Sequence, residues 1–471
     1  MPVTPMQRSP FLGIEFDDNR EFYFPGDTII GRVNRKSRIV CPDARIRISL
    51  HGRAKSKMVS GANSHQTYRG RFALLDGRRH SQVIFSGPLH IAADDREGQE
   101  WPFAMTIPTH CDPLTAQSFS EQDTFVPVHR DCSSAEELPP SMAATSSYSG
   151  RFEGFIEYFI RADLTTRGNS NMDMHTAIMP FQIRRCQAGP PIVDFKLRRV
   201  PCSRSLSSQR LIPGMENAEL SKSQRMKKFF GTSSVPSMAF RFEVDSPSVI
   251  QLDSPEAMPF RLQATPDWDK SSEIIRNVPQ MIKVTGLTLK IRQITEIRCE
   301  GTISTHEDQT DDTMEIHFDE PLRQTPVEFL CTDQCPRIDI GAAIGLRIGP
   351  YGAIGIKKGF INAGTCLYPD TVIYNIRVAH KMTWLLKLEV AGEEMELRAN
   401  RGERPVIILA ESDDREPFSA APPPLVTERA DSWIRPPDED EAPPTFEEVQ
   451  KEDMKAAQNS LAKLEIGQSS A

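Results

Sequence analysis

The chain has 471 residues, 38% of them hydrophobic, with 37 prolines and a formal net charge of −8. This length holds two or three domains of ordinary size, and the low apolar fraction predicts that part of the chain does not pack. The acidic balance argues against a general nucleic-acid binder. No apolar run reaches the ~18–20 residues of a membrane span, and Met1 to Pro10 lacks the apolar stretch of a secretory signal.

Nine scattered cysteines, an odd number, do not make a disulfide framework and read as reduced thiols in a cytosolic protein. From the start, strand-like runs follow one another at short spacing. Phe11–Phe16 comes first, then Thr28–Val33 behind the turn Pro25-Gly26-Asp27. Ala44–Leu50 sets Ile46, Ile48 and Leu50 on one face and Arg45, Arg47 and Ser49 on the other, the period-2 signature of a half-buried strand. Gln82–Ser86, Trp101–Pro108, Phe155–Leu164 and Ala177–Ile183 complete a first set, and the Ser/Pro/Asp-rich stretch from Cys111 to Ser149 predicts a long mobile loop.

Residues 187–238 break the pattern. Between Lys196 and Lys228 nine Lys/Arg face two Glu, a net of +7, and serines abound, so 188–238 is expected to be a basic linker or long loop. Strands resume at Ala239–Val244 and continue at Phe260–Ala264, Ile282–Arg292, Met314–Phe318, Pro336–Ile344 and Asp370–His380. Leu385–Val390, Met395–Ala399 and Val406–Leu409 end the second set. Short strands with few helical stretches predict an all-β protein of two antiparallel β-sandwiches, 11–187 and 239–410. Residues 411–450 carry twelve Asp/Glu, three Arg and no Lys, so 411–471 is predicted to be a disordered acidic tail. A short helix is expected near 445–465, because Thr445-x-x-Glu448 has the form of a capping box.

Four motifs in order resemble the arrestin-like family: Phe22-Tyr23-Phe24-Pro25-Gly26-Asp27-Thr28-Ile29-Ile30-Gly31-Arg32-Val33, then Ile46-x-Ile48-x-Leu50-x-Gly52-x-Ala54. Trp101-x-Phe103-x-Met105-x-Ile107-Pro108 and Gly154 to Ala162 follow. The resemblance spans roughly residues 11–410 and is closer in the first half. It implies two immunoglobulin-like antiparallel β-sandwich domains joined by a hinge and no enzymatic activity. In the fungal-type arrestin-related trafficking adaptors it further implies a protein of the cytoplasm, transiently at the plasma membrane or endosomes. Such an adaptor links cytosolic segments of membrane cargo to a HECT ubiquitin ligase. That ligase docks its WW domains on Pro-Pro-x-Tyr motifs, and the nearest match here is Pro443-Pro444-Thr445-Phe446, which keeps the ring and loses the hydroxyl.

The candidate sites each admit a plainer reading. Pro443, Pro444 and Phe446 form a degenerate WW ligand or the entry to a helix. Ser205 and Ser207 follow Arg204 as phosphorylation candidates or are part of a plain linker. Arg225, Lys227 and Lys228 would touch anionic lipid or the acidic tail, or are simply solvated. Cys331-x-x-x-Cys335 lacks the second ligand pair of a zinc site, and Glu307–Asp312 reads as a solvated hairpin loop. Nucleophile elbows, P-loops and dinucleotide fingerprints are missing, so neither cofactor nor metal is expected.

Overall fold

Strands carry most of the described chain in the computed structural model, which covers residues 4–412 apart from 10, 19, 60–65, 93–97, 113–123, 127–136, 147–151, 168–171, 188, 216–234, 302–303, 354–359, 362–364 and 400–401. Among these residues no helix is long and apolar enough to cross a membrane.

The first half is built from β1 (Gly13–Phe16), β2 (Thr28–Arg35), β3 (Ile39–Val59), β4 (Thr67–Leu75), β5 (Ser81–Ile91), β6 (Gln99–Thr106), β7 (Met142–Thr145), β8 (Phe152–Arg167) and β9 (Met172–Phe181). The alternation seen at Ala44–Leu50 extends over all 21 residues of β3, whose partner β8 has 16. They pair antiparallel from Ala44↔Thr166 to Met58↔Phe152. Each long strand carries two shorter ones end to end along its other edge, β5 and β4 on β3, β9 and β7 on β8. The sheet β1-β2-β6 packs against this six-stranded sheet. Ile46, Ile48 and Leu50 of β3 join Ile29 and Val33 of β2 and Trp101, Phe103 and Met105 of β6 in one buried cluster. The entry to β2 needs Gly26, whose φ of +92° is open to glycine at little cost.

The second half repeats the device. β10 (Cys186–Gln187) leads to β11 (Arg198–Ser207), β12 (Ser237–Ser246), β13 (Val249–Gln251), β14 (Arg261–Pro266), β15 (Gln280–Cys299), β16 (His306–His317) and β17 (Val327–Cys331). β15, 20 residues long, pairs with Ile376–Val390 on one side and with β17 and β16 on the other. A second buried cluster runs from Phe195 to Ile408. The first cluster does not stop at the end of β9. It takes in Ile297 and Cys299 of β15 and Ile373, Tyr374, Ile376 and Val378, so both halves belong to one compact unit reaching residue 414.

Several expectations need correction. The stretch 198–207, assigned to a linker, is β11, an edge strand paired with β12 throughout. Its Val200 and Cys202 are buried while Ser203, Ser205 and Ser207 face out. An edge strand tolerates a polar outer row, so composition alone mistook it for a loop. Within the expected loop 111–149, Met142–Thr145 is a strand on β8, and Leu138 and Met142 are buried. The sequence divides Asp370–His380 from Leu385–Val390, but Ile376–Val390 is one continuous strand. Ile340–Ile344 is a short helix capped by Asp339 and ended by left-handed Gly345, not a strand. The acidic run Glu307–Asp312 lies inside β16, not in a hairpin loop.

Candidate partner-binding surface

Alternation that points Ile46, Ile48, Leu50 and Ala54 inward along β3 points Arg45, Arg47, Ser49, His51, Arg53, Lys55 and Lys57 outward. Antiparallel register sets Arg71 beside Lys55 and Arg69 beside Lys57 on β4. It places Glu153, Glu157, Arg161 and Asp163 of β8 beside Lys57, Arg53, Ser49 and Arg47. This face holds eight cations against three carboxylates, an excess of five. Lys57 pairs with Glu153 at 2.8 Å and Arg161 with Asp163 at 2.9 Å. Arg45, Arg47, Arg69 and Arg71 are exposed, and none of them has a carboxylate partner among the described residues.

The floor of this face is aromatic. Phe155 and Phe159 of β8 are buried yet lie outside the first core cluster. The His51 ring stacks on Phe159 at 4.9 Å, and the Arg53 guanidinium sits 4.9 Å from the same ring. Burial, with help from the Arg161 charge, pushes the His51 imidazole down to about 4. His51 is therefore neutral at physiological pH and adds ring surface, not charge.

Glu157 is the most closely held polar group here. Its side chain is 4% exposed, with Arg53 Nε at 2.6 Å and Lys55 Nζ at 2.8 Å. The backbone N–H of Thr4 donates to its other oxygen at 2.8 Å, and Arg53 Nη2 donates to Thr4 Oγ1 at 2.7 Å. Burial alone would push this carboxyl up, but the hydrogen bonds from Lys55, Arg53 and Thr4 outweigh it and hold the group below its usual range. A polar cleft of about 360 Å³ opens beside Glu157 and Phe181, lined from the second half by Gln293, Tyr351, Cys366 and Tyr368.

Of the residues picked out from sequence, Ser205 and Ser207 are exposed on the outer row of β11. The Arg204 guanidinium Nε instead donates to the Glu396 carbonyl at 3.3 Å. Arg225, Lys227, Lys228, Pro443, Pro444 and Phe446 lie outside the described residues. Sequence reading missed the cationic face, because Arg45 and Arg47 served there only as the polar side of a strand. The signal was the continuation of the same period through Arg53, Lys55 and Lys57. Among the described residues no group of His, Cys, Asp and Glu is arranged to hold a metal ion. Compared with known protein families and with curated proteins, the chain finds no match.

Proposed function

We propose that this chain is a non-enzymatic adaptor of the arrestin-like kind, with two sandwiches that hold a cytosolic acidic segment of a membrane protein. The observation that carries this reading is the outer face of β3, β4 and β8, with its five surplus cations above an aromatic floor. An extended acidic peptide gains charge contacts along such a row and main-chain hydrogen bonds at a neighbouring sheet edge. The acidic, proline-rich tail would then present Pro443-Pro444-Thr445-Phe446 to a WW domain of a HECT-type ligase, and the protein would work in the cytoplasm and transiently at the plasma membrane or endosomes.

The docking face is tested with a labelled peptide of eight glutamates around one threonine. Binding to the full chain is expected to fall about tenfold in Arg69→Glu/Arg71→Glu and to weaken as salt is raised. Equal binding by the double variant removes this face from the function. The ligase link is tested separately, with a peptide covering residues 436–455 against WW domains. The native peptide is expected to bind more weakly than its Phe446→Tyr version, by about a kcal/mol for one lost hydrogen bond, and Pro444→Ala to abolish binding. Phe446 in place of tyrosine favours a second reading, a signalling scaffold of the same fold without a ligase. Binding by the tyrosine version alone would support it.

A further inference from the structure

The segment 4–9 is seated on the surface just described in an unusual way. Pro5, Met6, Gln7 and Arg8 are exposed, and Met6 retains 50% of its accessible surface. Apolar burial therefore does little to hold the segment. What holds it is polar: the two contacts of Thr4 with Glu157 and Arg53, and a single antiparallel pair at the edge of β9. In that pair Gln7 N–H donates to the Ile178 carbonyl at 2.9 Å and Ile178 N–H to the Gln7 carbonyl at 3.0 Å. Beyond it, Arg35 Nη1 donates to the Phe11 carbonyl at 2.8 Å and the Phe11 ring stacks on His175. The segment is thus tied firmly at its far end and lightly along its length.

The groove beside it is large. About 610 Å³ lies between the segment, β1 and the end of β9, with Phe16, Tyr23 and Phe181 among its walls. The anchor also needs a particular kind of occupant. Glu157 is buried and accepts a main-chain N–H, and Arg53 needs an oxygen where Thr4 Oγ1 sits. Any extended chain bearing Ser or Thr at that point meets both demands. An acidic one gains the surplus cations of the adjoining face in addition.

We infer that residues 4–9 are a built-in occupant of a strand-addition site at the β9 edge. A partner's acidic extended segment, with Ser or Thr in place of Thr4, displaces them. The inference rests on the docking-face reading for its partner, but not for the occupancy itself. Seated residues lower the apparent affinity for a competitor in proportion to the fraction of molecules in which the site is free.

Two probes and three proteins test it. The proteins are the full chain, its Thr4→Pro variant, and a chain lacking residues 1–9. Thr4→Pro keeps every other residue while removing both the N–H and the hydroxyl. The probes are a labelled peptide copying residues 2–12 and the glutamate–threonine peptide above. The copy peptide is expected to bind the shortened chain and Thr4→Pro at least tenfold more tightly than the full chain, and to lose that binding with Glu157→Gln added. The acidic peptide is expected to gain about tenfold from the same two changes. A copy peptide that ignores the shortened chain overturns the occupancy. An acidic peptide that binds all three proteins equally, yet still depends on Arg69 and Arg71, overturns the displacement and leaves the docking face standing. If the acidic peptide binds none of them, the docking face falls, and the copy peptide alone decides the occupancy.

Discussion

Gly70→Val is expected to destabilise the protein by about 3 kcal/mol, read as a lower urea midpoint with an unchanged m-value. Gly70 is where β4 meets the second half. A Cβ there would stand 2.5 Å from Ser56 Oγ and 2.9 Å from the Arg298 carbonyl oxygen. Neither can retreat cheaply. Ser56 Oγ donates to that carbonyl at 2.5 Å and accepts from the fully buried Asn375 Nδ2 at 2.8 Å. The same junction stacks Phe72 on Tyr374 at 5.3 Å, and Phe125 lies against the Arg298 and Arg377 guanidinia at 4.2 and 4.9 Å. Adding Ser56→Gly is expected to restore only part of the loss, because the Arg298 carbonyl belongs to the backbone of β15. Full restoration would mean that the side chain alone sets the fit.

Glu157→Ala is the second large effect, about 3 kcal/mol at pH 7. Removing one partner of a buried charge cluster strands the others, here Arg53, Lys55 and the Thr4 N–H. The pH dependence has a definite sign. The folded carboxyl lies below the ordinary value of 4.5, so its stabilisation is fully present above about 4.5 and is lost as pH falls through the folded value. Denaturation of the native and variant chains from pH 7 to 3 should therefore show a gap that closes at the acid end. A gap of constant size would show that lost packing, not charge, explains the defect.

Strand order was legible wherever alternation was strict, as at Ile46–Leu50 and Trp101–Ile107. It failed where a polar side chain turns inward. His380 interrupts the apolar pattern of Ile376–Val390, but its ring is buried between Asp370 at 2.6 Å and Gln293 at 3.2 Å, so one strand read as two. β11 failed for the opposite reason, since Arg199, Ser203, Ser205 and Ser207 form the outward row of an edge. The candidate surface was half visible. Each cation of β3 could be placed on the outer face by counting in twos. The state of Glu157 could not, because its partners come from 104 and 153 residues earlier in the chain, and one sequence does not disclose such long-range pairings.

The length of β3 also bears on how the protein is made. Its partner β8 follows about a hundred residues later, as in Ala54↔Ile156. At ~5–20 residues per second of synthesis, β3 waits roughly 5–20 s on the ribosome before that edge can close. β4 and β5 arrive sooner and close the other edge. During the wait, the open edge of this 21-residue strand, with Ile46, Ile48, Leu50 and Ala54 along one face, is a template for intermolecular pairing. The cations Arg45, Arg47, Arg53, Lys55 and Lys57 on its outer face act as gatekeepers against it. Charge that we assign to partner recognition in the finished protein therefore has an earlier task, keeping the nascent sheet from aggregating. Neutralising several of these arginines together would then cut soluble yield before binding could be assayed.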